Sequence, residues 1–285
     1  MSLAASPYAP HRALRAVLLA AMLPLPLQPF AAAAGTRCEN RSLDADRLAA
    51  AAQTALTVAA ALDQRDAPLA LVARVGTDLS AQGLVYSHVG FVVRDHPAGR
   101  WSAVHLLNEC GSDRSGLYAQ GLVNFFADDL VNQDARIVWL EPALAQRLAE
   151  RLRALPQPSL HQPRYNLIAR PGSVEYQNST AWVLETVGAA LAEDASGANR
   201  TQAYRAAERD GFRPDRIRIP YSKRVLGGLF GNNIAFTDHS VATRLGGEYP
   251  VVTVRAIVEY LVRSGRVQAQ QEWRHGRPME RLGAL

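Results

Sequence analysis

Hydrophobic and polar residues alternate in two neighbouring segments, 85–94 and 101–107. A period of two is typical of β-strands whose faces have different surroundings. The connection RDHPAGR contains the proline and glycine of a turn, so the two strands are predicted to form a hairpin. Shorter apolar runs at 68–76 and 135–141 predict two further buried strands.

Helical periodicity characterises most of the other apolar segments. Residues 43–63 are alanine-rich with apolar positions at helical spacing, and Ser42 can cap this helix. Further helices are predicted at 142–155, 178–193, 200–209 and 253–265. Segment 110–134 is interpreted as irregular, and 225–236 as a glycine-rich apolar loop. A helix, a small antiparallel sheet and then more helices indicate an α+β fold.

The first 34 residues have the pattern of a cleaved secretory signal peptide. Arg12 and Arg15 belong to a positive n-region, an apolar stretch follows, and AAAA ends the segment. The apolar run contains prolines and is shorter than the ~20 residues that span a bilayer. We therefore expect 1–34 to be removed, leaving a periplasmic or secreted protein with no transmembrane segment. The mature chain is divided into a domain at 35–212 and an extension at 213–285 packed on the same domain.

The chain carries 31 basic and 26 acidic residues, a formal net charge of +5. The basic residues are scattered except in the stretch RPDRIRIPYSKR at 213–224. This cluster could contact phosphate or anionic lipid, although a solvated basic face is the preferred interpretation. It lacks the interleaved aromatic residues of a nucleic-acid platform, so nucleic acid is not an expected partner.

Two cysteines, Cys38 and Cys110, are present, and neither belongs to a CxxC pair. In an exported protein the simplest interpretation is a disulfide between them. Two isolated cysteines cannot form a zinc site by themselves. No metal and no cofactor are predicted.

The hairpin carries two histidines as candidate functional residues. Alternation places His88 and Gly90 on one face of the first strand, opposite a core face of apolar residues. If Val93 pairs with Arg100, His88 stands directly across from His105, with Cβ atoms roughly 5 Å apart. One imidazole could then act as a general base while the other orients it. The alternatives are half-buried histidines satisfied by water or backbone, or a metal pair, for which no third ligand is evident.

Ser179 lies at the start of the apolar helix predicted at 178–193, immediately after Asn178. A nucleophile at a helix N-terminus gains from free backbone N–H groups that can stabilise an oxyanion. Serine and asparagine are also ordinary helix caps. Both interpretations of Ser179 stay open on the sequence of this helix alone.

The motifs SHVG, AVHL and NSTAW, in this order, resemble those of the circularly permuted papain-like superfamily. This superfamily includes lecithin:retinol acyltransferase and its bacterial relatives, with cell-wall peptidases as unpermuted members. The sequence also looks like an uncharacterised family of exported bacterial proteins near that group. The resemblance covers roughly 84–190. It implies a permuted papain-like core at 35–212, His88 as base, His105 as its orienting partner, Ser179 as nucleophile, and supporting roles for Asn178 and Gly90.

The resemblance implies an exported hydrolase or acyltransferase that acts on an amide or ester bond. Ser179 departs from the superfamily, in which the nucleophile is cysteine. A hydroxyl ionises less readily than a thiol and needs base catalysis during the attack itself. The alternative function is a catalytically inactive envelope protein that keeps a papain-like groove and binds peptide, glycan or lipid.

The cysteine assignment predicts that the mature, non-reduced protein has no titratable thiol. Reduction should release the thiols of Cys38 and Cys110 together, and it should destabilise the fold by roughly 4 kcal/mol because a long loop is opened. Thiol titration of native protein before and after reduction, with chemical unfolding of both forms, measures these effects. Two free thiols in native, non-reduced protein would contradict the disulfide.

Overall fold

A computed structural model describes residues 44–109, 111–128, 130–153, 160–192, 197–230 and 232–279. The α-helices, in chain order, are α1 (Ala45–Asp63), α2 (Leu122–Ala127), α3 (Pro142–Arg153), α4 (Ser179–Leu191), α5 (Arg200–Arg209), α6 (Tyr221–Phe230), α7 (Val241–Gly246) and α8 (Val254–Arg263). The strands are β1 (Leu69–Val75), β2 (His88–His96), β3 (Gly99–Asn108), β4 (Ser115–Gly121), β5 (Asn132–Leu140), β6 (Asp215–Arg218), β7 (Glu248–Val251), β8 (Val267–Arg274) and β9 (Arg277–Met279).

A seven-stranded antiparallel sheet organises the structure, with the strand order β4-β3-β2-β1-β5-β8-β9. Strands β6 and β7 form a separate antiparallel pair. Helices pack on the large sheet, so the predicted α+β class is confirmed. The C-terminal segment contributes β8 to this sheet, where it pairs with β5.

Each face of the sheet is covered by a different set of helices, because successive side chains of a strand point to opposite sides. Val72, Val92 and Ala103 belong to one hydrophobic cluster together with residues of α1 and α2. Val89 and Phe91 belong to the other cluster, which includes residues of α3, α4 and α8. We call these two sides the α1 face and the α4 face.

The hairpin of β2 and β3 forms where the sequence predicts it, but its register differs from the predicted one. Val93 pairs with Ser102, so the expected pairing of Val93 with Arg100 is wrong. His96 pairs with Gly99, which centres the turn on the two residues between them. The register changes by two residues, an even number, and therefore each side chain stays on its predicted face.

Two local predictions are also wrong. Segment 110–134 is not irregular as predicted, because it contains β4, which lies at one edge of the sheet, and the short helix α2. Helix α6 occupies the first half of the predicted loop at 225–236.

The α1 helix is capped by Asp44, whose carboxylate accepts a hydrogen bond from the Asp46 N–H at 3.3 Å. The predictions for Ser42, for the signal peptide at 1–34 and for Cys38 and Cys110 concern residues outside the described ranges.

None of the helices in the described part of the chain is long and apolar enough to cross a membrane.

Helices α4 and α5 pack closely because Gly188 has no side chain. A Cβ atom built at Gly188 would lie 2.0 Å from the carbonyl oxygen of Ala203 on α5. The same helix pair is joined by Glu185 and Arg200, which form a bidentate ion pair with N–O distances of 2.7 and 3.0 Å. Burial raises the pKa of Glu185 to about 7, although the hydrogen bonds from Arg200 act in the opposite direction.

We expect Gly188→Ala to destabilise the protein by about 3 kcal/mol or more, because the new methyl group meets backbone that can move only if the two helices separate. Gly246→Ala is the matched control: Gly246 is also helical, and its Cβ would have no neighbour within 4 Å. Urea unfolding of both variants measures the difference. Equal stability of the two variants would contradict the close α4–α5 contact.

Candidate functional site

The two predicted histidines lie together on the α1 face. The Nε2 atom of His88 is 2.8 Å from the Nδ1 atom of His105, a hydrogen-bond distance. The ring centroids are 5.1 Å apart, and the planes meet at 73°. The sequence-based expectation that the two rings share a face is confirmed, although the strand register behind it was wrong.

Gly90 provides the space in which the two rings meet. A Cβ at Gly90 would lie 3.1 Å from the Cβ of His105 and 3.4 Å from Cε2 of Phe125. Phe125, on α2, packs against both imidazoles with centroid distances of 5.9 Å to His88 and 5.2 Å to His105. A larger residue at position 90 would therefore push His105 and Phe125 away from His88.

A third polar side chain, Gln120 on β4, extends the pair into a chain of hydrogen bonds. Its amide Nε2 lies 2.8 Å from Nε2 of His105. Because the amide N–H can only donate, Nε2 of a neutral His105 is the acceptor and its proton resides on Nδ1. Nδ1 of His105 then donates to Nε2 of His88. The acceptor nitrogens of both rings are thus occupied inside the network.

A buried cation adjoins the histidines. Arg74, on β1, is paired in register with His88 and is only 2 % exposed. Its guanidinium lies over the ring of Phe125, 4.6 Å from the centroid, and donates to the Phe125 carbonyl. It also forms an ion pair with Asp128 at 2.6 Å. The positive charge of Arg74 disfavours a second positive charge on either imidazole.

Both imidazoles are held in the neutral form. Burial lowers the pKa of His105 to about 3, and the Arg74 cation acts in the same direction. Burial also lowers the pKa of His88 well below its ordinary value, again with contributions from Arg74 and His105. His105 has no exposed surface, whereas His88 keeps 8 %. A neutral, almost enclosed network is stable near neutral pH, and acid should disrupt it.

The third predicted site residue, Ser179, lies at the first position of α4, which packs on the opposite face of the sheet. Ser179 is buried, and its hydroxyl opposes the effect of burial on the neighbouring phenol of Tyr165, whose pKa is raised to about 12. The structure therefore does not bring Ser179 to the histidine pair.

Asn178, predicted as a supporting residue, is the N-cap of α4. Its side-chain oxygen accepts hydrogen bonds from the Ala181 N–H at 2.9 Å and from the Thr180 hydroxyl at 3.0 Å. Its amide donates to the Leu167 carbonyl at 2.9 Å. All of these contacts anchor the helix start to the chain around it, which is the ordinary structural use of asparagine at this position.

Sequence reasoning missed three members of the network. Arg74 interrupts an otherwise apolar strand, and a charged residue inside such a run indicates a buried polar partner. Gln120 and Phe125 lie in the segment that was interpreted as irregular. In the described ranges, no group of three or more histidine, cysteine, aspartate or glutamate side chains is arranged to hold a metal ion.

Comparison with known families identifies the chain's relatives. A model of a family of uncharacterized proteins conserved in bacteria (DUF2145) matches residues 61–261. This range is most of the chain and includes both histidine strands, α2 and α4, so the chain belongs to this family. Searches of curated proteins and of solved structures gave no match.

The lowered pKa values of the histidines predict a loss of stability in acid. Because the folded-state pKa values lie below the unfolded value of about 6.5, the unfolded chain binds more protons below that pH. The neutral histidines contribute fully to the free energy of unfolding above about pH 6.5. As the pH falls from about 6.5 towards the folded-state pKa values, this contribution is lost by up to about 1.4 kcal/mol per pH unit for each histidine.

Replacing one member of the network tests this account. We expect His105→Gln to flatten the dependence of the unfolding free energy on pH, by roughly one bound proton between about pH 6 and 4.5. His275→Asn, which removes an exposed histidine, is the control and should keep the wild-type slope. Urea unfolding across this pH range gives both slopes, and an unchanged slope in His105→Gln would contradict a neutral buried pair.

Proposed function

We propose that this member of the family is a non-catalytic binding protein of the bacterial cell envelope that binds an envelope component rather than cleaving it. The envelope location follows from the predicted signal peptide. Peptide, glycan and lipid are the ligand classes that the papain-like resemblance implies. The proposal rests on one observation: helix α4, which begins at Ser179, packs on one face of the sheet, whereas His88 and His105 contact Phe125 on the other face.

A nucleophilic serine needs a base within hydrogen-bond reach, about 2.6–3.2 Å. Helix α4 packs on the face of β2 that carries Val89 and Phe91, whereas the imidazole of His88 contacts Phe125 on the other face. Small changes of rotamer cannot carry a side chain through a hydrogen-bonded sheet. The separation supports a role of Ser179 in the start of α4.

The protonation pattern of the histidines supports the same proposal. A general base offers a free nitrogen lone pair to the group that it deprotonates. In this network His105 donates to Nε2 of His88, so the proton of a neutral His88 resides on Nδ1. The orienting partner of a catalytic histidine normally accepts a hydrogen bond from it. The direction of the hydrogen bond between His105 and His88 is the reverse.

The environment of the pair also disfavours acid–base chemistry. A catalytic base works best when its pKa lies near the operating pH. The pKa of His105 is about 3, and that of His88 is also well below its ordinary range. These values fit a buried structural network on the α1 face, and they leave ligand binding to another surface of the protein.

Serine-directed labelling tests the proposal. We expect a fluorophosphonate to leave the mature protein unlabelled, as it should leave Ser179→Ala, because no base activates the hydroxyl. Intact-mass spectrometry measures the adduct. Labelling of the wild type that is absent from Ser179→Ala would contradict the proposal and support the hydrolase or acyltransferase instead.

Ser179→Cys gives a second test, since a thiolate forms readily where an imidazole and a helix N-terminus cooperate. We expect alkylation by iodoacetamide at about pH 6 to be slow and unaffected by an added His88→Ala. Val254→Cys is the matched control: Val254 is the first residue of α8 and is similarly buried. Mass spectrometry of the peptide that contains each new cysteine gives the rates. Fast alkylation that depends on His88 would contradict the separation of the two sites.

A further inference from the structure

A small cavity that is open to solvent lies beside the two-stranded sheet, at the C-terminal part of the chain. Its volume is about 180 Å³, and its lining residues are Tyr221, Arg224, Val225, Phe236, Arg244 and Tyr249. The lining combines aromatic walls with two guanidinium groups. The rings of Phe236 and Tyr249 pack at a tilt with their centroids 5.4 Å apart, and Arg224 lies over the ring of Tyr221 at 5.3 Å. An aromatic wall beside paired cations is suited to an anionic group that is attached to an apolar one.

The two arginines of the cavity have unused capacity to bind an anion. The Nε atoms of Arg224 and Arg244 are buried and have no hydrogen-bond partner among the described residues. Arg224 donates to the backbone carbonyl of Arg244, a contact that leaves both positive charges uncompensated. A phosphate oxygen in the cavity would supply acceptors to both side chains.

The charged residues around the cavity are positive on balance, like the two arginines that line it. Residues 215–251, which include both strands of the small sheet and the whole lining of the cavity, contain five basic residues, Arg216, Arg218, Lys223, Arg224 and Arg244, and three acidic residues, Asp215, Asp238 and Glu248. Asp215 forms an ion pair with Arg255. Asp238 is already occupied, since its carboxylate accepts hydrogen bonds from the Ser173 hydroxyl and the Arg170 N–H, both at 2.7 Å. The positive potential of this surface therefore favours anions.

Exposed apolar side chains stand beside these cations. Leu245 is 78 % exposed and Val241 61 % exposed on α7, while Tyr221 is 73 % and Val225 42 % exposed on α6. Apolar and aromatic side chains flanked by arginines are typical of protein surfaces that lie in the membrane interface. A free anion or a nucleic acid would leave Val241 and Leu245 in water. This combination favours a lipid over either of those ligands.

We propose that the cavity binds the phosphate headgroup of an anionic phospholipid in a bilayer, with Arg224 and Arg244 as the headgroup ligands. Tyr221, Val225 and Leu245 then enter the boundary between headgroups and acyl chains. This inference rests on the proposed binding function and names its ligand class and its site. It does not involve Ser179, so failure of the labelling test and failure of the lipid test are separate results.

Vesicle co-sedimentation tests the inference with the mature full-length protein. We expect binding to vesicles that contain phosphatidylglycerol and little binding to pure phosphatidylcholine. The double variant Arg224→Gln/Arg244→Gln should bind roughly 25-fold more weakly, about fivefold for each lost cation. Arg205→Gln/Arg209→Gln is the control, because it removes the same charge from exposed positions of α5 outside the cavity. Equal loss in both double variants, or equal binding to both lipids, would overturn the proposal.

Two further arms separate the lipid from other anions. Leu245→Ser should weaken vesicle binding roughly tenfold, as removal of one inserted leucine side chain predicts. Millimolar glycerol 3-phosphate should not displace the protein from vesicles. If glycerol 3-phosphate displaces the protein efficiently and Leu245→Ser still binds vesicles fully, the ligand of the cavity is a soluble phosphate. If the protein binds a single-stranded oligonucleotide more tightly than vesicles, the ligand is a nucleic acid. Either result would overturn the lipid assignment. Thermal unfolding of each variant checks that its fold is intact.

Discussion

The central sheet is covered by helices on both faces, so the position of a residue along its strand decides which of two layers it joins. Val89, Phe91 and Val93 contribute to the cluster with α4, whereas Val92 contributes to the cluster with α1. His88 shares the parity of Val92. This single constraint brings the imidazole to Phe125 and Arg74 and keeps it from α4. Every conclusion about chemistry at the histidines depends on it.

The polar network on the α1 face contains a single positive charge. Arg74 is the cation, and Asp128 and the Phe125 carbonyl accept from its guanidinium. His88 and His105 stay neutral because ionisation would cost desolvation and would place another positive charge near Arg74. On the other side of the sheet, the buried charges of Glu185 and Arg200 compensate each other in a bidentate ion pair. Removing one partner of either network would leave a buried polar group unsatisfied, which is costlier than losing an exposed hydrogen bond.

The alternation of β2 and β3 predicts the shared face of the histidines correctly, because face depends on whether the register is odd or even and not on its exact value. The exact register depends on the turn at Pro97 and Ala98, which composition alone did not determine. Strand β4 was missed because it contains Gly116 and Gly121 and lies at a partly exposed sheet edge. Helix α6 was missed because its two adjacent glycines resemble a loop. These errors concern local geometry, and the α+β class did not depend on them.

The side of the sheet on which α4 packs could not be predicted from its own pattern. Its residues from Ser179 to Ala190 are buried all round, so no polar stripe indicates which face meets the sheet. The family resemblance implies a nucleophile beside the histidine, which the packing of α4 on the other face does not provide.

Packing and capping account for Gly90 and Asn178 in the resembling motifs without that requirement. Gly90 makes room for the ring of His105, Asn178 caps α4, and Ser179 is buried at the first position of that helix. The same order of residue types can thus arise from two unrelated structural roles, ring packing on the α1 face and a helix start on the α4 face. A short motif identifies a catalytic site only when its side chains converge, and here convergence is found for the histidines alone. The guanidinium groups of Arg224 and Arg244 instead line an open cavity beside α6 and α7, which a ligand can enter from solvent.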